Sequence, residues 1–157
     1  MPAIKPAWIS FGGTAAVVTS MGLIFGLEAA ASSRQTIVAA LLIVAVADNL
    51  TDSLSVHVYQ EAERLQGREA LRSTIANFVT RLLFALSFVG LAAVLPRSLL
   101  LLVAPMWGFA LLAWLTSLIA RARGAPVGWE IAKHFVVALI VLGVSRWLGT
   151  WISGAFG

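Results

Sequence analysis

The chain has 157 residues, of which 60% are hydrophobic and 11% charged, and its mean hydropathy is +0.93. Water-soluble domains carry about 25% charged and about 45–50% apolar residues, so this chain lacks the polar surface to wrap a core of its size, and its solvent is largely lipid. The absence of cysteine excludes disulfides, thiolate metal sites and a cysteine nucleophile, while the net charge of +4 is not gathered into a basic stripe with interleaved aromatics, which argues against nucleic acid as a partner.

A membrane helix needs about 20 mostly apolar residues. Five windows qualify, which predicts an all-α polytopic membrane protein with a single transmembrane domain over residues 1–157. The first span is expected over 7–27, free of charge between Lys5 and Glu28, with Gly22 and Gly26 spaced for close helix contact. It is longer than the apolar region of a signal peptide, which runs to about 7–15 residues. Residues 31–34 turn the chain into a second span over 36–59, which carries Asp48 and Asp52. A polar connector over 60–72 precedes a third span over 73–95, interrupted by Arg81, and Pro96 and Arg97 mark the next turn. The fourth span, 98–120, has Pro105 near its start, where a missing N–H is best tolerated. A loop over 121–129, with Gly124, Pro126 and Gly128, leads to the fifth span over 130–152.

Basic residues set orientation. Lys5, Arg64, Arg68, Arg72, Arg121, Arg123 and Lys133 fall on one side, against Arg34, Arg97 and Arg146 on the other, which places the N-terminus in the cytoplasm; compactness and the lack of a targeting segment make a cell inner membrane the expected location. Trp8, Trp129, Trp147 and Trp151 fall near span ends, as an interfacial belt requires, whereas Trp107 and Trp114 read as packing or lipid-facing residues.

Asp48, Asp52 and Arg81 are ionisable groups inside spans, each costing about 2.5–3.5 kcal/mol at a bilayer centre even on insertion scales. Four residues apart on a helix, Asp48 and Asp52 share one face about 6 Å apart along the axis, and two such carboxylates do not both ionise without a counter-charge. Asp52 and Arg81 fall at nearly the same depth. One reading is a structural Asp52–Arg81 pair that holds two spans in register. The other is a cation or proton path in which Asp48 and Asp52 bind the ion and Arg81 tunes or gates them. A pair that only joins helices needs one Asp, so the second carboxylate favours the path.

Ser55 and Tyr59 extend the same stripe toward the cytoplasmic surface, and its oxygens suit hard or borderline divalent cations. Glu61 and Glu63 stand at the mouth as cation collectors, or as part of a solvated charged surface. His57 lies off the stripe, His134 is solitary beside Lys133, and Glu28 marks the opposite mouth. No nucleophile constellation or Gly-rich phosphate loop is present, so the chain gives an enzyme nothing to work with and calls for no cofactor.

The first span, with Gly12, Val18, Thr19 and Gly26, resembles the first helix of the vacuolar iron transporter family, which carries a Gly-x-Asn-Asp-Gly-hydrophobic-Val-Thr-Thr stretch followed by a later Gly. The second, from Ala47-Asp48 to Glu63, is similar to that family's Ala-(Asp/Gly)-x-hydrophobic-Ser-Met segment ending in Lys/Gln-x-Glu, and Ala76 to Val79 and Gly143 to Gly149 follow its pattern loosely. The family's first-helix Asp falls on Ala15 and its second-helix Met on Asp52, Arg81 stands outside its pattern, and its long cytoplasmic metal-binding helices are missing, as in its short forms. The resemblance implies a homodimer that exports a divalent cation, iron-like or manganese-like, in exchange for protons, with Asp52 on the path. The contrasting expectations are a non-transporting membrane scaffold or assembly subunit on the same fold, and a transporter of a non-metal substrate.

Overall fold

The structure is a computed structural model that describes residues 6–62 and 67–156, apart from the side chains of 6–11, 61, 67, 69 and 70. Its elements are α1 (Pro6–Ala29), α2 (Arg34–Ile43), a π-helical turn (Val44–Asp48), α3 (Asn49–Ala62), α4 (Gly67–Val94), α5 (Arg97–Arg123) and α6 (Val127–Phe156). There is no strand among the described residues. α2, the π turn and α3 run on as one span, so five helices are long and apolar enough to cross a membrane. The exposed surface fits that environment, because Leu83, Leu102, Leu139, Ile140 and Val144 all face outward. Trp129, Trp147 and Trp151 are exposed near the ends of α6, and Trp107 and Trp114 are exposed on α5.

α1 is the central helix. It packs most extensively on α4 and α6, then on α5, and less on α2. Val17, Met21 and Ile24 of α1, Phe88 and Ala92 of α4, Leu112 of α5 and Ala138 of α6 form the apolar core. Glycines let α1 approach α6 closely: Gly22 and Gly26 face Ser145, and a Cβ on Gly149 would collide with the carbonyl of Gly26. The contact expected of Gly22 and Gly26 is therefore made with α6.

Most helix ends reach beyond the sequence expectation. The polar connector is mostly helix, with α3 reaching Ala62 and α4 starting at Gly67, because Arg and Glu are good helix formers. α5 likewise extends to Arg123 and α6 begins at Val127. Pro105 sits inside α5 rather than in its first turn, where neighbouring membrane helices tolerate the lost N–H. Both long helices that end in tight turns do so in the same way. Ser32 N–H bonds Leu27 O after α1, and Ala125 N–H bonds Ala120 O after α5, each closing over a left-handed residue, Ala31 in the first case and Gly124 in the second.

Candidate functional site

Along the second span the buried residues recur every four positions, as Ile37, Leu41, Ala45, Asn49 and Ser53. In a regular α-helix such steps drift by about 40° each, and the wider π turn at Val44–Asp48 offsets part of that drift, so that one stripe stays against α4. The facing stripe of α4 is Ser73, Asn77, Arg81, Ala85, Phe88 and Ala92. Both stripes change from apolar to polar at the same depth, near Ala45 and Ala85. The Gln60 half of the seam is polar, whereas the half toward Arg34 and Val94 is apolar and closed by Ile37, Leu41 and Phe88.

At the inner end of the polar half lies Arg81, its side chain only 7% exposed. Its Nη2 donates to Asp48 Oδ2 at 2.5 Å and its Nη1 to Asp52 Oδ2 at 3.1 Å. Asn77 Nδ2 also donates to Asp52 Oδ2, at 3.3 Å. The carboxylates are more open than the guanidinium, with Asp48 51% and Asp52 29% exposed. α1 closes over the cluster where a Cβ on Gly12 would strike Asn77 Oδ1 and Arg81 Cγ, so only glycine lets the two helices meet there. From the cluster toward Gln60 the seam is bridged by Asn49 Nδ2 to Phe78 O at 2.9 Å, by Thr74 and His57 at 3.4 Å, and by Gln60 Nε2 to Ser73 Oγ at 2.6 Å.

Several buried atoms of this seam have no protein partner: Asn49 Oδ1, Ser53 Oγ, Gln60 Oε1, Asn77 Oδ1 and Arg81 Nε. Burying a polar group unpaired costs about 1–3 kcal/mol, and ordered water is the usual way such groups are satisfied. A cavity of about 10 Å³ adjoins the cluster, lined among others by Thr19, Ser20, Asp48, Asn49 and Arg81, which is room for about one water.

Of the residues singled out in the sequence, Asp48, Asp52 and Arg81 come together. Ser55 and Tyr59 do not join them: the Ser55 hydroxyl donates to Thr51 O at 3.0 Å on its own helix, and Tyr59 is 66% exposed. Arg81 and Asn77 hold Asp52 toward α4, so Ser55 and Tyr59 stay on the exposed face beside Asp48 without joining the Arg81 cluster. Glu63 and the side chain of Glu61 lie outside the described residues. His57 belongs to the α3–α4 seam, and His134 Nδ1 contacts Glu130 O one turn back at 2.8 Å. Among the described residues no three His, Asp or Glu side chains gather as a metal cluster. Asn49, Ser53, Ser73 and Asn77 are site residues that the sequence reading passed over, although their four-residue spacing on each helix signals a polar stripe.

At the other end of the bundle Glu28 does have a partner. Arg97 Nε donates to Glu28 Oε2 at 2.7 Å and its Nη2 to Ser32 O at 3.2 Å, while Arg34 donates to Ala93 O and Leu95 O at the end of α4. No family model matches the chain, and neither does any curated protein or solved structure.

Proposed function

We propose that the protein is a multi-pass membrane transporter that moves a cation, with Asp48 and Asp52 as the ion-loading carboxylates and Arg81 as their resident counter-charge. The observation that carries this reading is the burial pattern: the cation of the cluster is enclosed while Asp48 remains half open at the middle of its span. A purely structural pair hides its carboxylate or needs only one. The half-seam from Gln60 to Arg81 carries buried polar atoms without a protein partner, which supports a hydrated approach from that side, and the apolar residues Leu41 and Phe88 close the other. The distribution of basic residues supports a cytoplasmic location for that open side, and hence export out of a cell inner membrane.

Asp48, Thr51, Ser55 and Tyr59 form an exposed polar face at membrane depth. Such a face is costly against lipid, which supports a homodimer in which a second copy faces it across the ion path. The likeness of the first two spans to vacuolar iron transporters supports a cation cycle in which protons take part, with that family's divalent metal as the competing cargo.

A second reading is favoured by one specific feature, that Arg81 binds both carboxylates at once: the cluster then acts as a structural clamp in a membrane scaffold. The two readings separate in proteoliposomes holding the purified protein. Transport predicts ion flux that disappears in Asp52→Asn while the protein remains folded, whereas a scaffold gives no flux from the folded wild type.

A further inference from the structure

Taking the transport reading as its basis, we infer that the ion loaded at Asp48, Arg81 and Asp52 is a proton rather than a divalent metal. Two carboxylates and one guanidinium carry a net charge of −1. One proton brings the cluster to zero, whereas a divalent ion turns it to +1. Midway through a span, a cluster left with net charge pays a desolvation cost that a neutral one avoids. Arg81 therefore changes what the two aspartates select, from a doubly charged ion to a singly charged one.

The donor set agrees with the charge. Arg81 already occupies Oδ2 of both carboxylates, and Asn77 adds a second donor to Asp52. Hard divalent cations take six or more oxygens, and no third acidic or histidine side chain joins the two aspartates among the described residues. On the α1 side of the cluster the adjoining cavity of about 10 Å³ has room for about one water. Two of its lining residues contribute groups without a protein partner, the Nε–H of Arg81 and the Oδ1 of Asn49, a donor and an acceptor of the kind one water satisfies.

Asp48 is the carrier. It is the more exposed carboxylate and has one donor, whereas Asp52 is held by both Arg81 and Asn77. A protonated water in the polar seam passes its proton to a carboxylate oxygen of Asp48, leaving neutral water and a neutral carboxylic acid, and Arg81 then neutralises Asp52 alone. Release to another water reverses the step, with no change in the covalent frame beyond one O–H bond.

The test is flux into proteoliposomes of the full chain, with a trapped pH dye in one set and a trapped divalent-metal dye in another, Mn²⁺, Fe²⁺ and Na⁺ being supplied in turn under a clamped potential. Wild type is expected to carry protons at least about tenfold above empty vesicles, with no metal or sodium entry, and Asp48→Asn to fall to the empty-vesicle level. Arg81→Gln, which leaves a net charge of −2, is expected to gain Mn²⁺ entry; should that variant fail to melt cooperatively, the wild-type ion comparison decides alone. Mn²⁺ or Fe²⁺ entry through the wild type that requires Asp48 overturns the proton assignment and leaves the transport reading standing. Sodium entry that requires Asp48 overturns the assignment too, while keeping the single-charge rule. No flux of any ion from folded wild type overturns the assignment and the transport reading together.

Discussion

Among the described residues two charge clusters join helices of the bundle, and they are built in opposite senses. In the mid-span cluster the arginine is 7% exposed and its carboxylates are 51% and 29% exposed. At the Ala29 end the carboxylate of Glu28 is 7% exposed and Arg97 is 52% exposed. The terminal pair is one against one, and Arg97 also ties down Ser32 O in the turn after α1. Its charges balance and its anion is the buried partner, which fits a fastening between the α1–α2 and α4–α5 turns. The mid-span cluster has one carboxylate too many for a fastening and leaves it open. On the proposed reading, an ion site and a structural pair are told apart by which partner is buried and by whether the charges balance.

That contrast can be strained from several sides. The largest effect is expected for Arg81→Gln, which leaves two carboxylates without their counter-charge: about 3 kcal/mol of stability is lost in thermal unfolding in detergent, within the range for breaking a buried pair. Asp52→Asn alone is expected to cost less, about 1–2 kcal/mol, because Asp48 still holds Arg81. The double variant should lose less than the sum, and strict additivity would mean that the residues do not interact.

A gentler perturbation acts on the terminal pair. Arg97→Gln strands the buried carboxylate of Glu28, with an expected loss of about 1–3 kcal/mol and no change in ion flux per folded molecule. A loss of flux per folded molecule would place Glu28 on the path and erase the distinction between the clusters. The smallest effects belong to the two left-handed turn residues. Ala31→Gly, beside the terminal pair, is expected to stabilise by about 0.5–1 kcal/mol, and Gly124→Ala to destabilise by about the same amount. Equal responses of one sign would show that the two turns are not equivalent.

The membrane fold was legible because five apolar windows leave few alternatives, and Asp48, Asp52 and Arg81 were legible because charges in such windows are costly and the helix period places them together. The rest was hidden for definite reasons. A π turn adds a residue without altering composition, so nothing in Val44–Asp48 announces it. Ser55 and Tyr59 share a helical face with Asp52 by spacing, yet the partner helix, not the spacing, decides where a carboxylate leans. The partner of Glu28 was not legible because Arg97 is distant in sequence and meets it only when α5 returns beside α1. The polar stripe of Ser73 and Asn77 was readable from its spacing with Arg81, and small uncharged residues attract less attention than a buried charge.

The most direct test of the account is the proton and metal flux of wild type and Asp48→Asn, measured side by side at matched incorporation, with both proteins shown to melt cooperatively. Wild-type flux that falls to the empty-vesicle level when this one carboxylate is neutralised is the predicted result. Equal flux from the two proteins, or none from either, would contradict it.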